Sequence, residues 1–181
     1  MARAQIPPPG RLIVSYIYCS VDALAESLKR LERHFGPVQY ETVDFPSSSQ
    51  NRYLEEMGRG LNRRFFSFER LVPRDSLPSV KKTCAKVESQ FADHIDDHPF
   101  RTVNIDPGIL TPDSLVMAAH KEFNFRVYLT DGVFAETALV YSKGYFTRLP
   151  WTDADFYHDE AIDFFLRVRD TFDLIEEVSA H

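Results

Sequence analysis

The chain is short of the residues that staple, anchor or phosphorylate. Its 181 residues include two cysteines, seven glycines and one tryptophan. Cys19 and Cys84 stand in no C-x-x-C or other ligand-spaced pattern, so they read as two reduced core thiols, not a disulfide framework or thiolate metal site. No apolar run approaches the roughly 20 residues that cross a bilayer, which argues against a membrane partner. The start lacks the apolar stretch of a signal peptide, so the expected compartment is the cytoplasm. Residues 1–10, with Pro7-Pro8-Pro9-Gly10, read as a flexible Pro-rich lead-in to one domain over residues 11–181. There is no G-x-x-x-x-G-K-[ST] phosphate loop, nucleophile elbow or reactive-cysteine motif. Basic charge is short as well: 21 Lys and Arg against 27 Asp and Glu leave −6. That balance argues against general nucleic-acid affinity.

What the chain has is aromatic side chains, 15 Phe and 8 Tyr, ample for a large core. Leu12 to Cys19 is apolar on both alternating faces, as in a central strand. Ser20 caps a helix with Leu24, Leu28, Leu31 and Phe35 on one stripe, stopped by Gly36-Pro37. Val38 to Phe45 and Arg63 to Val72 read as strands. Leu77, Val80, Cys84, Val87 and Phe91 mark a second helix, and Arg101 to Ile105 reads as a short strand ending in Asp106-Pro107-Gly108. Thr111-Pro112-Asp113 predicts the start of a short helix fading near His120. Residues 125–129, 133–141 and 145–149 predict a meander with turns at Asp131-Gly132 and Ser142-Lys143-Gly144. A last helix spans about 159–178, with Ile162, Phe165, Val168, Phe172 and Ile175 on one stripe. The expected fold is a single α+β domain: a ferredoxin-like β-α-β-β-α-β core extended by a short helix, a three-stranded antiparallel meander and a C-terminal helix.

Four stretches carry a family resemblance. They are Glu56-Met57-Gly58-x-Gly60-Leu61-x-Arg63-Arg64-Phe65-x-Ser67-Phe68-Glu69, Asn104-x-Asp106-Pro107-Gly108, Arg126-x-Tyr128-Leu129-x-Asp131-Gly132-x-x-Ala135-Glu136, and Leu149-Pro150-Trp151-Thr152-x-x-Asp155-Phe156. Their order and spacing resemble an uncharacterised bacterial family called domain of unknown function 4416, from about Leu12 to Phe172. Two departures stand at Asp153-Ala154, where relatives tend to have Tyr-Pro, and at Phe125, where they tend to have His. The resemblance implies a compact single domain and no established activity. A GTP-binding label that accompanies some relatives finds no phosphate loop here.

The densest polar grouping lies between Asp106 and Asp155. Asp106, Asp131 and Glu136 suit a divalent metal, with Lys121 and Arg126 clamping a phosphate or carboxylate. The same acids also suit plain structure: Asp-Pro-Gly and Asp-Gly form turns, and Glu136 can pair with Arg126 across the hairpin. Lys121 and Glu136 are needed by no turn. Arg63, Arg64 and Trp151 complete the ligand-binding candidates. His94 and His98, four apart, are the one histidine pair with ligand-like spacing, and the competing reading is a polar loop.

Charge is also unevenly spread. Residues 52–74 hold six arginines against three glutamates, a local +3; residues 153–181 hold nine acids against two arginines, a local −7. These could meet within one chain or across a homodimer. Tyr16 and Tyr18 beside Phe66 and Phe68 loosely resemble an RNA-stacking sheet, although the Arg63–Phe68 run lacks that signature's glycine. Three functions follow: a binder of a small anionic or phosphorylated ligand with enzyme activity left open, a non-catalytic interaction module using the arginine segment and acidic helix, and, remotely, an RNA-binding sheet. No cofactor is indicated.

Overall fold

A computed structural model of the chain describes residues 3–95 and 98–179, with the side chains of 93–95, 98, 99 and 174–179 left outside the description. In order, the elements are β1 (Gly10–Tyr18), α1 (Val21–Phe35), β2 (Val38–Glu41), β3 (Phe45–Pro46), α2 (Leu54–Met57), β4 (Asn62–Val72), α3 (Leu77–Ser89), β5 (Ala92–Ile95), β6 (His98–Arg101), β7 (Val103–Leu110), β8 (Ser114–Ala119), β9 (Val127–Thr130), β10 (Val133–Ser142), β11 (Tyr145–Arg148) and α4 (Asp159–Ser179). The architecture is α+β. One antiparallel sheet runs β11-β10-β8-β7-β1-β4-β2, with β3 added to β4 and β9 to β10; β5 and β6 form a separate hairpin.

The expected central strand is β1, buried along its whole length between β4 and β7. Its alternate residues feed two cores. Leu12, Val14, Tyr16 and Tyr18 pack with Phe66 and Phe68 under α1 and α3, whereas Ile13 joins Phe65, Phe164 and Phe165 under α4. Helices therefore cover both faces of the sheet. This overturns the RNA-stacking reading: Tyr16, Tyr18, Phe66 and Phe68 are all 1% exposed or less, with no ring offered to a base.

The helix expected after Thr111 is a strand. Thr111-Pro112-Asp113 makes the tight turn of the β7–β8 hairpin, closed by Thr111 N–H donating to the Ser114 carbonyl at 2.8 Å. A hydroxyl, a proline and an acid suit position i onward of a β-turn as well as a helix start. What decides is the next segment, where Leu115 and Met117 face one core and Val116 and Ala118 the other, a period of two. The Asp131-Gly132 and Lys143-Gly144 turns do form, with φ of 52° and 72°, and 54° and 91°. Two left-handed residues in a row give the hairpin turn whose twist matches its strands.

Asp106-Pro107-Gly108 was expected where a strand hands over to a helix; it lies inside β7 instead. β7 pairs with β1 from Val103 to Leu110, but with β8 only over Gly108–Leu110. Residues 103–107 thus have an open edge, which is where a strand tolerates proline. Gly108 opens the β7–β8 ladder, and a Cβ there would stand 2.3 Å from Met117 Sδ and 2.8 Å from the Val116 carbonyl oxygen. Gly108→Ala is expected to cost about 1–3 kcal/mol, read by urea denaturation, because the two strands must part to admit the methyl.

Candidate functional site

The parting of β7 from β8 leaves Ile105 paired with β1 alone and open on its β8 side, and α3 supplies the missing bonds. Glu88 accepts from the Ile105 N–H at 2.7 Å, and Lys81 donates to the Ile105 carbonyl at 3.2 Å. The two lie seven apart on α3, two turns along one face. Lys81 also pairs with Asp106 at 2.6 Å. Asn104 donates to the other Asp106 oxygen at 2.7 Å and accepts from Arg101 at 3.1 Å. Arg101 in turn pairs with Glu88 at 2.5 Å and with Glu56. The open edge is thereby closed by a connected polar chain rather than by a strand.

Beyond that chain lies a cleft of about 670 Å³ between β7, β8 and β10. Its floor is polar. Its rim is aromatic: Phe123, Phe125 and Trp151 stack face to face, with centroids 5.4 and 5.2 Å apart and planes within 5°. Trp151 is pinned by its indole N–H donating to the Thr137 carbonyl at 2.9 Å. The Arg126 guanidinium lies 4.9 Å from the Phe123 centroid, and the Lys121 ammonium 5.4 Å, within the range of cation–π attraction.

Six of the eight candidates named from the sequence line this one cleft: Arg63, Asp106, Lys121, Arg126, Glu136 and Trp151. Arg126 and Glu136 are paired at 2.6 Å, the cross-hairpin pair anticipated as their structural role. Arg126 also donates to the Lys121 carbonyl at 2.7 Å, so it ties the 120s segment to β10. The other two lie elsewhere. Arg64 alternates to the opposite face of β4 and meets Glu41 and Asp44 at 3.3 and 3.4 Å. Asp131 sits in the exposed turn with Lys82 at 2.8 Å. Asp106, Asp131 and Glu136 therefore do not converge, and among the described residues no group of three or more His, Cys, Asp or Glu is placed to hold a metal. His94 and His98 stand on β5 and β6, and their side chains lie outside the description.

Lys81, Glu88 and Arg101 were not singled out as site residues in the sequence; Asn104 stood only within a resemblance stretch, and His120 only at the end of an expected helix. Lys81 and Glu88 border the apolar stripe of α3 and there look like any solvated helix charge. The signal available was their seven-residue spacing on the sheet-facing side.

Displaced ionisation gathers here, as it does at sites that do chemistry. Burial would lower the Lys81 ammonium, but Asp106 outweighs it and holds Lys81 above the usual lysine value. Burial would raise the Asp106 carboxyl, yet Lys81 and the Asn104 amide hold it below the carboxylate range. For Glu88 burial wins over Arg101, and its carboxyl is raised. His120 is lowered, by burial and then by the Lys81 charge, with Asp106 opposing.

The cleft's other wall is locked by a second ion pair. Arg63 Nε lies 2.8 Å from Asp155, at 3% and 4% side-chain exposure, and Arg63 donates to Ser15 Oγ at 2.6 Å. Ser47 Oγ and the Ser48 N–H both donate to Asp155 at 2.7 Å. Asp153 takes Arg52 at 3.4 Å and Arg63 at 3.6 Å. The +3 and −7 segments thus meet within one chain, at residues 153–155.

The family described as a domain of unknown function (DUF4416) matches residues 8–172. The chain belongs to the DUF4416 family. All four stretches that carried the resemblance fall inside that match, and each of them places residues on the cleft wall of this DUF4416 protein: Arg63, Asp106, Arg126, Glu136 and Trp151. Comparison with curated proteins and with solved structures gives no match. Among the described residues no helix is long and apolar enough to cross a membrane.

Proposed function

We propose that the cleft between β7 and β8 binds a small anionic ligand, a phosphorylated compound or a carboxylate, whose planar or apolar part meets the Phe123–Phe125–Trp151 rim. The observation that carries this is the convergence of Lys121, Arg126 and Trp151 on one cavity whose floor is already charge-paired. Asp106, Glu88 and Glu136 are each engaged by a cation, so an arriving anion does not face bare carboxylates. Lys121 has no carboxylate partner among the described residues and stands at the mouth, as suits a phosphate-attracting point charge. Whether turnover follows binding is the business of the floor residues.

A thermal-shift screen against nucleotides, sugar phosphates, aromatic carboxylates and divalent metals tests the reading. A ligand at a hundred times its Kd is expected to add about 2.7 kcal/mol of stability. Lys121→Glu, an exposed change, is expected to abolish that gain without altering the unliganded melting temperature. Stabilisation by metals alone, or equal stabilisation of the variant, contradicts it.

The strand order β7-β1-β4-β2, with α1 and α3 as the intervening helices, supports a ferredoxin-like core in one domain over residues 11–181. A second reading, the non-catalytic interaction module, draws on β9, an edge strand exposing Val127, Tyr128 and Leu129 at 66%, 59% and 40%. Of the six arginines in residues 52–74, Arg52, Arg63 and Arg64 are paired within the chain, while Arg59 and Arg70 are exposed and remain open to a partner.

A further inference from the structure

Most acid–base groups around the cleft are locked. Lys81 holds Asp106, Arg101 holds Glu56 and Glu88, Arg126 holds Glu136, and Arg52 and Arg63 hold Asp153. Three lining groups have no hydrogen-bond or ion-pair partner among the described residues: Tyr53, Lys121 and His120. Burial pushes the Tyr53 phenol up, away from neutral exchange, and Lys121 is exposed at the mouth, where it meets the arriving anion. His120 is the remaining group, exposed to solvent just past the end of β8, where the β7 and β8 edges separate. The charges around it come from every neighbouring element: Lys81 and Glu88 from α3, Asp106 from β7, Arg63 from β4, the Arg126–Glu136 pair beside β10, and Lys121 next in the chain.

We propose that His120 is the proton-exchanging group of the cleft, taking up one proton when an anion enters and returning it when the anion leaves. The inference rests on the anion-binding reading above and adds to it an acid–base role. In the empty cleft partial burial and the Lys81 charge, with Asp106 opposing, make the imidazole hold its proton less tightly than a free histidine. An anion offsets Lys81 and reverses the balance. The imidazole nitrogen then binds a proton from solvent, or from an acidic hydroxyl of the ligand, with no other bond made or broken. A protonated imidazole beside a bound anion is also what a general acid requires. Binding is therefore tightest at low pH and weakens as pH rises through the His120 midpoint of the complex.

The test uses inorganic sulfate, a dianion whose charge is constant across the range, and follows the imidazole signals by NMR titration. His120→Gln assigns the His120 signal by its loss. The expected midpoint of free His120 lies below about 6.5 and moves up by about half a pH unit or more in saturating sulfate, while the other five histidines stay put. Sulfate affinity of the native protein is expected to fall at least about twofold from pH 5.5 to 7.5, and that of His120→Gln to stay level. If sulfate saturates the Trp151 fluorescence but leaves the His120 midpoint where it was, the proton-exchange role is overturned and the anion site stands. If sulfate changes neither, the anion site itself falls, and the role with it.

Discussion

Asp155→Ala is expected to remove about 3–5 kcal/mol of stability in urea denaturation, a large share of the roughly 5–15 kcal/mol of an ordinary domain. The substitution strands the Arg63 guanidinium at 3% exposure between Phe65 and Phe156, whose ring centroids lie 5.8 and 5.6 Å away. It also leaves Ser47 Oγ and the Ser48 N–H without their acceptor. Arg63 keeps only Asp153 at 3.6 Å and Ser15 Oγ at 2.6 Å, so the loss measures the burial of an under-compensated charge more than the worth of the pair. Hence Arg63→Met combined with Asp155→Leu is expected to recover most of it. Acid has a defined sign here. Burial would raise the Asp155 carboxyl, but Arg63 and the donors from Ser48 and Ser47 hold it below the usual value. A lowered folded value contributes stability that is complete above about pH 4 and drains as pH falls through it. Asp155→Asn should flatten that acid limb. A single variant within about 1 kcal/mol of the native protein would mean that the pair is open to water.

Lys81→Met is expected to cost about 3 kcal/mol, and its pH dependence identifies why. Methionine fills the aliphatic path of the lysine but leaves the Ile105 carbonyl without a donor and Asp106 with Asn104 alone. With the ammonium gone, burial becomes the main influence on Asp106 and pushes its carboxyl up. A carboxyl raised in the folded state contributes stability below its unfolded value that is lost as pH rises through the folded one. The gap between variant and native protein should therefore be widest near pH 7 and narrow towards pH 4. Parallel stability curves at all pH values would show that Asp106 does not depend on Lys81. Glu88→Gln, which keeps an acceptor for the Ile105 N–H, should be milder.

The elements legible in the sequence are those with one unambiguous period. The α1 stripe at Leu24, Leu28 and Leu31, the α3 stripe from Leu77 to Val87 and the two-sided burial of β1 all formed where expected. Residues 111–119 failed because Thr-Pro-Asp opens a turn as readily as a helix, and Leu115-Val116-Met117-Ala118-Ala119 is apolar throughout and carries no period. Asp106-Pro107-Gly108 failed for a related reason: turn-forming residues are also those a strand admits at an open edge, and that edge depends on β8 splaying from β7. The cleft was half visible. Lys121 and Glu136 were named because no turn needed them, Arg126 as a clamp for an anion, and Trp151 as a neighbour of the polar grouping. Lys81 and Asp155 were missed because their partners stand 25 and 92 positions away, a distance no local pattern spans.

Trp151 is the chain's sole tryptophan and stands on the cleft rim, so its fluorescence reports that cavity and no other. The groove between α1 and α3, lined by Arg30, Arg33 and Lys86, is the competing basic surface, and it contains no tryptophan. The decisive measurement is a fluorescence titration of the native protein and Lys121→Glu with the anion that most raises the melting temperature. A saturable change in the native protein with the midpoint of the thermal stabilisation, lost in Lys121→Glu, is the result predicted for a ligand seated between β7 and β8. A stabilising anion that leaves Trp151 fluorescence flat would place binding elsewhere and contradict the assignment of the cleft.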